Sequence, residues 1–159
     1  MTINEFLMVP HDQIDYASLD TGLLHDLATQ DSEPYIATSA LAELGARGGA
    51  QAIAAAKEIL AAEPWDRHLF AFAITTLCDL DRGSAAETMS RLLGTTSDPK
   101  VLDAMVECVL SDADHFETGE ARAFADSLAA KIATAEPDQF TDVEERAAFL
   151  ERYRAGSAS

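Results

Sequence analysis

The chain has 159 residues, 48% of them hydrophobic and 25% charged, with 28 acids against 11 bases and a formal net charge of −17. The length suits one folded domain with its own core, and no stretch reaches the roughly 20 unbroken apolar residues of a membrane-spanning helix. A field of that sign repels nucleic acid and anionic membranes and speeds encounter with basic partners, so direct phosphate contact is excluded whether the acidity serves binding or reflects an acidic proteome.

The opening MTINEFLMVPHD has neither the basic start nor the long apolar run of a secretory signal, so a cytoplasmic address is expected. Residues 3–9 read as a stunted helix cut by Pro10, and a helix is predicted over 19–30 with Leu23 and Leu27 apolar. Residues 1 to 46 contain eight acids and no Lys or Arg.

From Pro34 a helix is expected to about residue 46, with Ile36, Ala40, Leu41 and Leu44 on one stripe. It breaks at Gly48-Gly49, and a second helix over 50–62 carries Ile53, Ala56, Ile59 and Leu60. The next pair is read at 66–80 and 85–93, joined by the turn Asp81-Arg82-Gly83-Ser84 and preceded by Trp65 at the seam between units. A third pair is read at 99–110 and 119–135, with a longer inner turn from Ser111 to Glu120. A last helix over 141–155 takes Thr141 as N-cap and Glu144 as its capping-box partner, ahead of a disordered tail at 156–159. Pro34, Pro64, Pro99 and Pro137 each open a unit, where the missing N–H costs nothing.

These elements repeat with a period of about 33 residues. Ile36, Ala40, Leu41 and Leu44 are answered by Leu69, Ala73, Ile74 and Leu77, then by Val101, Met105, Val106 and Val109. A second register runs through Ala52, Ala56 and Leu60, then Ala85, Met89 and Leu93, then Ala121, Phe124 and Leu128. Two apolar helices per unit predict an all-α solenoid, organised as one domain over 1–155: an N-terminal half-repeat at 1–30, repeats at 33–62, 64–94 and 98–135, and a capping helix at 141–155.

The stretch Ala40-Leu41-x-Glu43-Leu44-Gly45, its small-residue turn, and Ala52-Ile53 with Ile59-Leu60 resemble a HEAT-like, armadillo-type helical repeat of the short variety found in bilin-lyase-type proteins. The second unit keeps the apolar skeleton with Cys78 in place of Gly45, and the third matches more loosely. The resemblance implies a right-handed array of about three helical hairpins whose second helices line the concave face. Families of this kind include adaptors, regulatory subunits, bilin lyases, DNA-glycosylase-like enzymes and bacterial immunity proteins. The glycosylase branch implies a basic cradle, which an acidic chain does not supply.

No constellation for catalysis is visible: the histidines His11, His25, His68 and His115 are scattered, and no phosphate loop or nucleophile elbow occurs. Cys78 and Cys108 sit outside any metal or redox motif and read as buried free thiols. The densest polar cluster is Asp112, Asp114, His115, Glu117 and Glu120 in the long turn, open to three readings: a solvated turn, a contact with Lys or Arg on a partner, or a calcium-like cation. Asp103 and Glu107, four apart, form a small acidic patch, while Glu58, Arg91 and Asp126 give the second helices mixed charge. Trp65 is either inter-unit packing or an aromatic contact.

The expected function is a non-catalytic protein-binding module without cofactor or metal, a monomer on its own. Its partner is another protein with a basic surface, not nucleic acid or membrane. An acidic immunity protein that occludes the active site of a basic, nucleic-acid-targeting toxin fits best. A bilin-lyase-like enzyme or tetrapyrrole chaperone, and a structural or regulatory subunit, are the alternatives. The expected partner contacts are Trp65, Asp103, Glu107, Asp112, Asp114, Glu117 and Glu120.

Overall fold

A computed structural model describes residues 2–135 and 142–157, with side chains as far as Tyr153. Among the described residues the regular structure is helical and there is no strand. The chain divides into two compact units, Met1–Asp81 and Arg82–Ser159. The division falls between the two helices that the sequence assigns to the second hairpin.

The first unit holds α1 (Ile3–Phe6), α2 (Thr21–Thr29), α3 (Pro34–Arg47), α4 (Ala50–Ala61) and α5 (Arg67–Leu80), with short 3₁₀ turns at His11–Gln13 and Tyr16–Ser18. Their starts have local causes. Asp20 accepts from the Leu23 N–H at 2.9 Å and Asp66 from the Leu69 N–H at 2.8 Å, filling donors that a first turn leaves empty. Pro34 stands in the first turn of α3. At the other end of α3, Gly48 takes φ +73° and its N–H closes on the carbonyls of Leu44 and Gly45, a conformation glycine adopts without a Cβ penalty.

Each helix buries one stripe. Leu24, Leu27 and Ala28 of α2, Ile36, Ala40, Leu41 and Leu44 of α3, Ala52, Ala56 and Leu60 of α4, and Leu69, Ala73, Ile74 and Leu77 of α5 are at most 2% exposed. α2 packs on both α3 and α4, and α3 on both α4 and α5, so α2 to α5 are each covered by an adjacent and a next-but-one neighbour. Two polar ties span the layers. His25 Nε2 meets Glu58 Oε2 at 2.8 Å between α2 and α4. Arg47, paired with Glu43 at 2.9 Å, also donates to the carbonyls of Tyr16, Ala17 and Leu19, fastening the irregular stretch before α2 onto α3.

The second unit holds α6 (Arg82–Leu93), α7 (Pro99–Ser111), a 3₁₀ turn at Ala113–Phe116, α8 (Gly119–Ala133) and α9 (Val143–Ser157). α6 starts at Arg82, so the turn expected over 81–84 is largely helical. Gly83 and Ser84 fall in the first turn, where backbone N–H groups have no intrahelical partner in any case. α8 packs on α6, α7 and α9, and α7 on α9. Val101, Met105 and Val109 of α7, Phe124, Leu128 and Ile132 of α8, and Phe149 and Tyr153 of α9 are at most 3% exposed. Lys131 Nζ donates to the Leu93 carbonyl at 2.6 Å and Arg146 to the Ile132 carbonyl at 3.0 Å.

Asp142 Oδ1 accepts from the Glu145 N–H at 2.9 Å and caps α9. The N-cap expected at Thr141 and the opening expected at Pro137 lie outside the described residues. Gly156 and Ser157, read from sequence as the start of a disordered tail, continue α9, and 158–159 lie outside the described residues. Cys78 and Cys108 are buried, but neither is a free thiol, which corrects the reading from sequence. Isolated cysteines on separate helices read as free because no local motif supplies a partner.

Two substitutions test this packing in urea denaturation. Leu41→Ala in α3 is expected to cost about 2–5 kcal/mol through lost burial and the cavity left behind, whereas Ala42→Ser, exposed on the same helix, stays within about 0.5 kcal/mol. Gly48→Ala is expected to cost about 1 kcal/mol, all of it conformational, because a Cβ there meets nothing within 4 Å.

Candidate functional site

The long acidic turn is shaped by one apolar residue. Ser111 ends α7 with its hydroxyl on the Cys108 carbonyl at 2.8 Å, and Phe116, with no exposed surface, drives the following 3₁₀ turn into the core. Its ring lies 6.2 Å from that of Phe124 on α8, with His115 edge-on at 5.1 Å. Burial of this one aromatic side chain anchors an otherwise polar segment. Its neighbours Asp114, His115 and Glu117 are consequently held at the surface.

The carboxylates of this turn fall into two groups. Asp112 Oδ2 stands 3.1 Å from Arg82 Nη1. Glu117 Oε1 accepts from Arg152 Nε at 3.0 Å and again from its Nη2, and Oε2 lies 3.6 Å from Arg122 Nη1. The Arg152 hydrogen bond holds the Glu117 carboxyl below the usual glutamate range and raises the guanidinium in turn. Arg122 also pairs with Asp126 at 2.9 Å and stacks 5.2 Å from the centre of the Tyr153 ring, where burial pushes the phenol up. Asp112 and Glu117 are therefore fasteners of α6, α8 and α9.

Asp114, Glu120 and Glu87 make no ion pair among the described residues. Glu87 and Ser90 of α6, His115 of the turn and Glu120 of α8 line one open cleft of about 360 Å³, where Ala86 and Ala121 leave room between the helices. Two carboxylates, a hydroxyl and an imidazole without a cation make an acceptor-rich notch. A notch of this chemistry suits an ammonium or guanidinium head, through charge-assisted hydrogen bonds. Among the described residues, no group of three or more His, Cys, Asp or Glu is placed to hold a metal ion.

The remaining candidates lie elsewhere. Asp103 and Glu107 stand on α7, facing Glu145 of α9, whose carboxyl is pushed up first by burial and then by Glu107, Asp142 and Asp103. Trp65, 39% exposed, sits in the first unit between α4 and α5. Sequence reasoning singled out His115 and Glu120 but missed Glu87 and Ser90, whose positions one helical turn apart on α6 resemble any solvated face. It also missed the arginines that neutralise Asp112 and Glu117. Phe116, a lone large apolar residue inside an acidic run, was the available signal that the turn is anchored.

No family model matches the chain, and comparisons with curated proteins and with solved structures return no match.

The α7–α9 carboxylates give a pH-dependent prediction. A carboxyl raised in the folded state binds its proton more tightly there than in the unfolded chain, so stability declines as pH rises through the glutamate range and the penalty is complete near neutrality. Glu145→Gln is therefore expected to raise the melting temperature near neutral pH. The gain should vanish at about pH 4 and below, where both states carry the proton. Melting curves of the two proteins across that range test it.

Proposed function

We propose that this chain is a non-catalytic helical-repeat protein that binds a basic protein. The observation that carries the reading is the cleft of Glu87, Ser90, His115 and Glu120. The chain uses arginines to neutralise neighbouring carboxylates, yet among the described residues Glu87 and Glu120 make no ion pair. The net charge of −17 adds long-range steering toward a cationic surface.

Solenoid architecture is part of the same proposal. Its support is the recurrence, within each unit, of packing between a helix and its next-but-one neighbour, α2 with α4 and α3 with α5, then α6 with α8 and α7 with α9. Within this class we favour an immunity protein, which would associate rapidly with a basic, nucleic-acid-cutting toxin and block its cleft by presenting carboxylates in place of phosphates. A cytoplasmic address accompanies that reading, and among the described residues no helix is long and apolar enough to cross a membrane. The absence of a free thiol at Cys78 and Cys108 fits an oxidising compartment better and weighs against the address.

The test immobilises the protein and elutes bound lysate proteins with stepwise salt. A basic protein should be retained and released by salt, and its activity on nucleic acid should be suppressed by the free chain. Glu87→Gln/Glu120→Gln should weaken binding about tenfold, roughly 1.4 kcal/mol. Glu144→Gln/Glu151→Gln, which removes the same charge from exposed positions of α9, should weaken it much less. Retention of no basic protein, or equal loss in both double variants, sinks the reading.

A further inference from the structure

The first unit carries a second surface of different character. Leu7, Val9 and Pro10 of the segment after α1, with Ile36 at the start of α3, form an open groove of about 280 Å³. Met8 and Tyr35 stand on it at 85% and 70% exposure. Single exposed apolar residues are ordinary, but here two large ones share one concavity, and Tyr35 is propped by the His11 ring at 5.1 Å. An aromatic held by a neighbour beside a flexible thioether is the composition of a contact that closes on an apolar side chain.

The rim decides what can enter. Glu33 is the carboxylate that lines the groove, and Asp12 and Asp31 are exposed one and two positions in sequence from its lining residues His11 and Glu33. No Lys or Arg precedes Arg47, whose guanidinium is engaged with Glu43 and three backbone carbonyls. A second copy of this chain would bring the same acidic rim against itself, and an anionic membrane or a nucleic acid would meet like charge.

We propose that this groove docks an extended segment of a partner protein in which a large apolar side chain is flanked by Lys or Arg. The apolar side chain fills the space between Met8, Tyr35 and Ile36, and a flanking cation faces Glu33. The inference rests on the reading that the chain binds a cationic protein, and it adds a specific anchor that charge alone does not provide.

Fluorescence anisotropy of the full chain with a labelled peptide, Lys-Lys-Leu-Phe-Lys-Lys, tests it. Binding should be measurable at physiological salt and about tenfold weaker when Leu-Phe is replaced by Ala-Ala. Met8→Ser/Tyr35→Ser should lose about tenfold for the original peptide and nothing for the Ala-Ala one, with unchanged circular dichroism and melting temperature. Glu144→Gln/Glu151→Gln, exposed on α9 and outside both surfaces, should bind the peptide as the parent does. Equal affinity for the two peptides, or parental affinity in Met8→Ser/Tyr35→Ser, overturns the groove as a docking site. If that happens while a basic protein is still retained through Glu87 and Glu120, the groove fails alone. If the peptide binds as expected but no basic protein is retained, the proposed function fails and the groove stands.

Discussion

None of these helices can stand alone, and the rest of the structure follows from that constraint. They run from four residues in α1 to 15 in α8 and α9, at or below the roughly 12–15 residues where isolated helices become marginal in water. Their stability comes from covering apolar stripes, and one neighbour does not cover a stripe containing both i, i+3 and i, i+4 positions. The sequence answers with small residues. Ala37, Ala40, Ala52, Ala55, Ala56 and Ala73 in the first unit, and Ala125 and Ala129 in the second, are at most 2% exposed, so each helix can lie close to two others. Contacts between next-but-one helices in both units are the geometric result.

The same sequence has few cations to place among many carboxylates, and their placement explains why some acids hold structure and others face solvent. Arg47, Arg82, Arg122, Arg146, Arg152 and Lys131 each bind a carboxylate or the exposed carbonyl end of a helix or turn. A surface pair on its own contributes about 0–1 kcal/mol. The arginines here do more by joining separate segments: Arg47 ties the loop before α2 to α3, and Arg152 ties α9 to the turn before α8. Carboxylates such as Glu87, Asp114 and Glu120 make no ion pair among the described residues, and the excess of acids makes the chain's encounters strongly dependent on salt.

The helices were readable because their signals are local and periodic. The stripe Ile36, Ala40, Leu41 and Leu44, the proline at 34 and the glycine pair at 48 and 49 specify α3 and its end within about a turn. The stretch over 81–84 was misread because Gly and Ser mark turns and helix starts equally well. The candidate site was half legible. An acidic cluster shows in the sequence, but which carboxylates are neutralised depends on Arg82 and Arg152, the latter 35 positions from Glu117. No spacing rule reaches that far. Glu87 and Glu120 meet across a cleft only because α6 packs on α8.

The two proposed surfaces would answer different physical demands of recognition. Carboxylates such as Glu87 and Glu120 act at a distance and chiefly raise the rate of encounter, and they discriminate poorly among cationic proteins. Apolar contact at Met8 and Tyr35 has no reach but is lost only when the buried side chain leaves, so it governs residence time. An acidic protein that relied on charge alone would bind every basic surface weakly and release it as salt rose. Adding an apolar anchor within an acidic rim penalises partners of two kinds: those with charge and no anchor gain too little, and apolar ones without cations must desolvate Glu33 unpaired. Under the proposed docking mode, selectivity would come from demanding both features within one short segment of the partner.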